Sequence, residues 1–144
     1  MDKKILSAIL VVAVAAVALV FLVPFLPSLP SASGGSLNAE FAPSTIKNGE
    51  SSILRIRVEN QKDEESSPIV KIRTEKSADS DYVILGQKEW QLYPMKYSGE
   101  VQLNKVNVSA SSPASESKFN VIVSLEEGDE TIFTKKVSLV VQRE

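Results

Sequence analysis

The first apolar stretch of the chain is continuous rather than periodic. Residues 5–23 read ILSAILVVAVAAVALVFLV and contain no charged side chain. Because an α-helix rises about 1.5 Å per residue, this stretch is about 28 Å long, close to the thickness of a bilayer's hydrocarbon core. Apolar residues occupy every side of such a helix, which suits lipid better than a soluble core. The pattern therefore predicts a transmembrane helix over residues 5–26, with the lipid bilayer as its partner.

Beyond residue 36 the apolar pattern changes to a period of two. Residues 52–60 alternate apolar and charged side chains, and residues 119–125 alternate over the same period. Such alternation predicts strands with one buried face. Turn-forming residues interrupt the pattern about every 8–12 positions, and no segment has helical periodicity. Residues 37–144 are therefore predicted to form an all-β domain, a seven- to eight-stranded antiparallel immunoglobulin-like sandwich.

The individual strands follow from the same alternation. Gly86 interrupts the segment 82–93, which predicts a bulge or a break into two short strands. The last strand is long and apolar, so edge pairing with a partner or with a second copy is expected. Strands are predicted at residues 37–42, 52–60, 68–75, 82–93, 101–108 and 119–125, with Phe133, Val137, Leu139 and Val141 lining the last one. The predicted core consists of Leu54, Ile56, Val58, Val70, Ile72, Trp90, Leu92, Leu103, Phe119, Val121, Val123, Leu125, Val137 and Leu139.

The same strands predict where the loops lie. With residues 82–93 counted as one bent strand, the acidic loops 61–67 and 126–130 fall at the end where the chain enters from the membrane. Repulsion between these loops and an anionic membrane surface would help to hold the domain upright. The opposite end is predicted to carry the loops 43–51, 76–81 and 109–117.

The charges at the start of the chain predict its orientation. Lys3 and Lys4 precede the apolar stretch, and the next basic residue is Lys47. The positive-inside rule then places residues 1–4 in the cytoplasm and the β domain outside the cell. Between the helix and the domain, residues 27–36 are rich in Pro, Ser and Gly, and they are predicted to be a linker.

Two other interpretations of the apolar stretch were weighed. A cleaved signal peptide normally has an apolar region of about 7–15 residues, shorter than this one, although the small residues 31–33 would suit cleavage. A pilin- or archaellin-like filament subunit usually carries Glu where this chain has Ile9. Such a subunit also needs a long helix, which prolines interrupt here. Retention as an anchor is therefore the preferred interpretation; the interrupting prolines are Pro24, Pro27 and Pro30.

Composition limits the chemistry. The chain has no Cys and no His, so disulfides, imidazole bases and the usual zinc, copper and haem ligands are absent. No Gly-rich phosphate loop and no Ser beside a recognisable base occur. The net charge of −2 provides no basic field for nucleic acid. We therefore expect no catalytic residues, no cofactor and no nucleic-acid partner.

Acidic clusters were considered as calcium sites. Calcium needs about six to eight oxygens from converging loops, and no EF-hand spacing is present. The expectation is therefore that these carboxylates are solvated and hold no metal. The clusters are at residues 63–65, 79–81 and 126–130.

Four residues are candidates for contact or modification. Trp90, Tyr93 and Tyr97 lie close together in the sequence. A small sandwich usually places its one Trp in the core, so Tyr93 and Tyr97, which flank a turn, are the predicted surface contacts. Asn107 begins an Asn-Val-Ser sequon at a predicted strand end, and it is a candidate glycosylation site.

Two segments carry a family resemblance. Residues 41–60, FAPSTIKNGESSILRIRVEN, place a Pro and a Gly ahead of an alternating strand, and residues 92–103 read LYPMKYSGEVQL. These segments resemble immunoglobulin-like and fibronectin-III-like modules of archaeal and bacterial surface proteins, including a family of adhesion-related domains. One anchor followed by one sandwich is also the plan of the archaellum's envelope-binding stator proteins. The resemblance implies a cell-surface module, archaeal in type.

The sequence thus favours a single-pass membrane protein with its β domain outside the cell. Its expected role is that of a non-catalytic binding or scaffold module that contacts another cell-envelope protein or membrane complex. The alternatives are a carbohydrate-binding surface module that uses Tyr93 and Tyr97, or a pilin- or archaellin-like filament subunit.

Overall fold

The computed structural model describes residues 36–143, which form two packed β-sheets. The four-stranded sheet has the order β1-β3-β7-β5, and the five-stranded sheet has the order β2-β9-β8-β4-β6. A short 3₁₀ helix, Ser77–Asp81, follows β4. The strands are β1 (Ser36–Ala42), β2 (Thr45–Lys47), β3 (Ser51–Glu59), β4 (Ile69–Thr74), β5 (Val83–Leu85), β6 (Glu89–Gln91), β7 (Val101–Ala110), β8 (Glu116–Glu127) and β9 (Glu130–Gln142).

This strand order is that of an immunoglobulin-like sandwich. The strands β1, β3, β7 and β5 correspond to its A-B-E-D sheet, and β9, β8 and β4 correspond to its G-F-C sheet. The expectation of an all-β, two-sheet sandwich is therefore confirmed for the described residues. The predicted transmembrane helix over 5–26, the N-terminus 1–4 and nearly all of the linker 27–36 lie outside them. No helix within residues 36–143 is long and apolar enough to cross a membrane.

The strand count differs from the prediction because the chain crosses between the sheets inside two short segments, residues 42–45 and 85–89, in addition to its crossings at the other loops. After β1 it crosses to the five-stranded sheet, where β2 pairs in parallel with the end of β9. The predicted turn 43–51 therefore contains a strand, and one pair in the sandwich is parallel. The chain crosses again between β5, which pairs with β7, and β6, which pairs with β4.

Gly86 lies at the second crossing, and its backbone explains the break. Its N–H donates to the carbonyl oxygen of Asn107 at 2.9 Å, and a Cβ on Gly86 would lie 2.9 Å from that same oxygen. A real side chain does not tolerate such a contact with backbone, so only glycine fits this approach. Since β5 and β6 run in the same direction, they are one bent strand divided between the sheets, as the sequence allowed.

The core lies between the sheets and agrees largely with the predicted set. Eleven of the predicted side chains are buried, among them Leu54, Val70 and Leu139. Trp90 and Val137 are only partly buried and pack against the core from its edge. The prediction for Leu103 was wrong, because this side chain is 75% exposed. Met95, which is not in the predicted core, is buried.

The two ends of the sandwich carry the loops as predicted. Glu127 pairs with Lys62 and accepts a hydrogen bond from Ser66 Oγ at 2.8 Å, so loops 61–67 and 126–130 meet at one end. Ser36, where the described chain begins, pairs with Glu59 at that same end. At the opposite end, the Ser112 N–H donates to Asn48 Oδ1 at 2.7 Å.

Candidate interaction surface

The outer face of the five-stranded sheet is occupied by its own polar contacts. Glu75 accepts hydrogen bonds from Asn120 Nδ2 and Lys136 Nζ, each at 2.7 Å, and Ser138 Oγ donates to Asn120 Oδ1. The Lys136 ammonium and then the Asn120 amide lower the pKa of Glu75 below its ordinary value. On the neighbouring strand pair, Glu126 accepts from Lys71 and raises the pKa of that amine. These charges are matched within the chain.

The outer face of the four-stranded sheet is different, and the reason lies in β7. In the second half of this strand Val106 and Val108 point into the core. In the first half Val101 and Leu103 point to solvent. The apolar side chains therefore change faces within one strand, and polar ones take their inward positions.

The inward polar residues are Gln102 and Asn104. The side chain of Gln102 bonds the backbone of Tyr93 twice, accepting from its N–H and donating to its carbonyl. Asn104 Nδ2 is buried and has no hydrogen-bond partner among the described residues. A buried amide without a partner costs about 1–3 kcal/mol, and exposing Leu103 gains nothing for folding. This conflict between local pattern and fold marks the first half of β7 as a place shaped by something other than stability.

Cationic side chains surround Leu103. Arg57 lies opposite Leu103 on β3, and Arg55 lies opposite Lys105 two residues away. We call these two cross-strand pairs the basic rows. Like charges directly opposite each other on a sheet are unfavourable. The carboxylate nearest to Arg55 is weakly placed, with Glu40 Oε1 at 3.8 Å from Arg55 Nη1. A partner carrying carboxylates would relieve this repulsion.

The rows enclose a shallow depression of about 210 Å³. Its walls are side chains of β1, β3 and β7, and Leu103 forms its apolar part. Together with the exposed Ile53 and Ile84, this gives an apolar and basic surface that we call the β7 face. The residues that line the depression are Asn38, Ala39, Glu40, Arg55, Ile56, Arg57, Leu103, Asn104 and Lys105.

This surface was not predicted from the sequence. The alternation over residues 52–60 correctly places Arg55 and Arg57 on the exposed side of their strand, whereas the prediction of Leu103 as a core residue was wrong. The evidence lay in the spacing, because apolar residues at 101 and 103 are followed by apolar residues at 106 and 108. This step of three positions cannot keep all four side chains on one face of a regular strand.

The predicted contact residues Tyr93 and Tyr97 lie in the segment between β6 and β7. They are 84% and 73% exposed. No ring contact between them occurs in the described part of the chain, where the one stacked pair is Tyr82 with Phe119. Two exposed tyrosines are therefore present, but not as a stacked platform.

Asn107 lies on the β7 face. It sits inside β7 rather than at a strand end as expected, opposite Ile53 on β3. Its side chain is exposed, and Ser109 of the same sequon shares a 2.8 Å hydrogen bond with Ser51. Glycosylation there stays a prediction, and a glycan would stand beside the basic rows.

The acidic loops 61–67 and 126–130 pair with each other, because Glu127 of one bonds Lys62 and Ser66 of the other. Lys62 and then Ser66 lower the pKa of Glu127 by hydrogen bonding, and Glu127 raises the pKa of Lys62. Within residues 36–143 no three carboxylate, His or Cys side chains are placed to hold a metal ion.

Comparisons with solved structures show the same fold at low identity. A segment of α2-macroglobulin from Escherichia coli, from domain MG7 to the C-terminus, matches with a TM-score of 0.51 and 13% identity, covering 79% of this chain and 17% of that one. A FixG-related protein from Vibrio parahaemolyticus matches with a TM-score of 0.49 and 11% identity, covering 77% and 97%. The CARDB domain of the PF1109 protein from Pyrococcus furiosus gives 0.48 and 12%, covering 76% and 89%.

These likenesses concern the β-sandwich and carry no activity with them. No family model matches the chain, and no curated protein matches it. The class that fold and surface define is therefore an immunoglobulin-like sandwich with one polar, internally paired face and one apolar, basic face.

Proposed function

We propose that this chain is a membrane-anchored, extracytoplasmic, non-catalytic binding module that contacts another cell-envelope protein or membrane complex through its β7 face. The observation that carries the proposal is that the apolar residues of β7 change from the outer to the inner face along the strand. As a result Leu103 is exposed, while Gln102 and Asn104 point inward. A module that only had to fold would gain stability from apolar residues at the inward positions 102 and 104 and a polar residue at the outward position 103. Aromatic, apolar and arginine side chains in a partly desolvated patch are what protein interfaces use.

The anchor belongs to the same proposal. An apolar stretch at residues 5–26, preceded by lysines, would hold the sandwich outside the cell on the linker 27–36. The described chain begins at the end that carries loops 61–67 and 126–130. A chain emerging from the membrane at that end would leave the whole length of the β7 face accessible to a neighbouring protein.

The location is tested on intact cells. The chain is expected to remain in the membrane fraction after alkaline carbonate washing and to be cut by protease added outside the cells. Recovery of a mature chain from the medium, trimmed near residue 33, would show that the anchor is removed.

The contact is tested by co-purification from detergent-solubilised native membranes. Leu103→Glu and Arg55→Glu are expected to lose the partner protein that the unchanged chain retains, because both alter the β7 face. Arg73→Glu is the matched control, since Arg73 is an exposed residue on the outer face of the other sheet. If all three variants keep the partner, the β7 face is not the contact.

A carbohydrate-binding module is the second candidate, and the exposure of Tyr93 and Tyr97 favours it. Sugars stack on exposed aromatic rings. Binding of envelope polysaccharide that is lost in Tyr93→Ala and Tyr97→Ala, but kept in Leu103→Glu, would support this candidate over the first.

A further inference from the structure

The bent strand leaves part of β7 without a neighbour. β5 pairs with β7 only at Val108–Ala110 and then crosses to the other sheet at Gly86. From Val101 to Lys105, none of the residues 36–143 pairs with the edge of β7 that faces away from β3. We call the uncovered part, from Val101 to Lys105, the open edge of β7.

The main-chain groups that face this gap can be assigned. The Asn107 carbonyl points toward β5, because it accepts the Gly86 N–H. The Ala110 carbonyl points the other way, toward the β3 side, because it accepts the Gly49 N–H at 3.0 Å. With a period of two along a strand, the N–H and C=O groups of Leu103 and Lys105 face the gap. They are free to pair with an added strand.

β9 also has an edge that no strand covers over most of its length, but this edge is protected against the addition of another strand. β2 covers β9 only at Val140–Gln142. The rest carries a register irregularity opposite Leu125 and Glu126 and two adjacent exposed lysines, Lys135 and Lys136. Irregularities and lysines are the devices by which proteins prevent strand addition. The expected edge pairing of the last strand with a second copy is therefore disfavoured.

The open edge of β7 carries only a single lysine and no register irregularity. Its exposed side chains at Val101 and Leu103 are apolar, and its pairing with β3 is regular from Val101 to Ser109. The lysine is Lys105, the last residue of the open edge, and it lies opposite Arg55. An incoming strand would therefore find free hydrogen-bonding groups, an apolar side chain to pack against, and positive charge at one end.

We propose that the open edge of β7 takes up a short extended segment of the partner protein that carries acidic residues, and this inference rests on the proposed function. Strand addition would provide main-chain hydrogen bonds, and Leu103 with the basic rows would select the side chains. A carboxylate beside Lys105 and Arg55 would offset the repulsion between these two cations.

A second copy of this chain fits the edge less well. Five residues of strand span only about 17 Å, whereas a stable homodimer usually buries more than about 1,000 Å². Pairing two β7 edges would also bring two sets of the basic rows together, with Arg55, Arg57 and Lys105 in each. Like charges then oppose the association.

The test uses the full chain in lipid nanodiscs, labelled with ¹⁵N at leucine and lysine. The probe is an end-capped seven-residue peptide of alternating valine and glutamate, and the matched control peptide has lysine in place of glutamate. The acidic peptide is expected to slow amide hydrogen exchange of Leu103 and Lys105 by about tenfold or more, since an amide in a new ladder is protected. The amides of Lys135 and Lys136 should not change, and the lysine peptide should have no effect.

Two variants examine the mechanism. Leu103→Pro removes an N–H that faces the gap, a change that edge strands accept, and it should abolish the protection of Lys105. Lys105→Glu leaves the backbone intact and should reverse the preference, so that the lysine peptide binds better than the glutamate peptide. The fluorescence of Trp90 reports whether each variant is folded.

Three results would overturn the inference. They are equal binding of both peptides, protection at Lys135 and Lys136 instead of Leu103, and protection of Leu103 that rises with protein concentration in the absence of peptide. The last would identify a second copy as the occupant. If the envelope partner still co-purifies through the β7 face while the peptide fails to bind, only this inference fails and the proposed function stands.

Discussion

Leu103 and Arg57 lie directly opposite each other on neighbouring strands, and both side chains point to solvent. Leu103 is an apolar side chain of the kind that folding usually buries. Arg57 is a cation whose Nη2 lies 3.0 Å from Glu59 Oε2. Leu103 therefore contributes little to the core, and its exposure is the observation on which the proposed contact rests.

Substitution of Leu103 should therefore have little effect on stability. Leu103→Ser is expected to change the free energy of unfolding by less than about 0.5 kcal/mol, as for most surface positions. Leu54→Ala, at a fully buried leucine of β3, should cost about 2–5 kcal/mol. Urea unfolding of the purified chain, followed by the fluorescence of Trp90, measures both. A large loss in Leu103→Ser would place this side chain in the core after all.

Asn104 offers the opposite experiment. Its amide nitrogen is buried without a partner in the described part of the chain. Asn104→Leu, which keeps the branched shape with four side-chain heavy atoms, should leave stability unchanged or raise it by about 1 kcal/mol, because an unpaired polar group is removed. A loss of more than about 1 kcal/mol in the same unfolding assay would mean that this amide has a favourable role.

Gly86 is predicted to tolerate no side chain. A Cβ there would meet the Asn107 carbonyl oxygen at 2.9 Å, and backbone cannot move away as a flexible side chain can. Gly86→Ala should cost about 1–3 kcal/mol, the usual range for overpacking. Gln87→Ala, one residue further along the crossing, is the control and should be close to neutral. Equal stability of the two variants would contradict the close approach.

Stability should fall in acid partly through Glu127. Lys62 and Ser66 lower the folded pKa of this carboxyl below its ordinary value of 4.5. A lowered folded pKa gives stability that is present above the unfolded pKa and is lost as the pH falls through the folded pKa. Glu127→Gln should therefore show a smaller difference in urea midpoint between neutral pH and about pH 3.5 than the unchanged chain. An identical difference in both would remove Glu127 from this role.

Much of the fold could be predicted from the sequence, because alternation is read directly where one face of a strand is buried. Residues 52–60 and 119–125 gave strands in the right places, with Leu54 and Val123 inward. The two crossings could not be placed in the same way. β2 and β6 have three residues each, too few for a period of two to be measured.

The candidate surface was missed for a different reason. Leu103 follows Val101 by two positions, so local alternation assigns both to one face and hydrophobicity assigns that face to the core. Only the pairing with β3, which sets Leu103 opposite the outward-facing Arg57, shows which side they occupy. Where a binding surface requires apolar residues outside, the rule that places them inside gives the wrong answer.

Site-specific crosslinking on intact native cells decides whether the β7 face contacts an envelope protein. A photoreactive amino acid is placed at Leu103 on the β7 face, or at Arg73 on the outer face of the five-stranded sheet. We expect one discrete crosslinked product with an envelope protein from position 103 and none from position 73. Products from position 73 alone, or the same products from both positions, would contradict it.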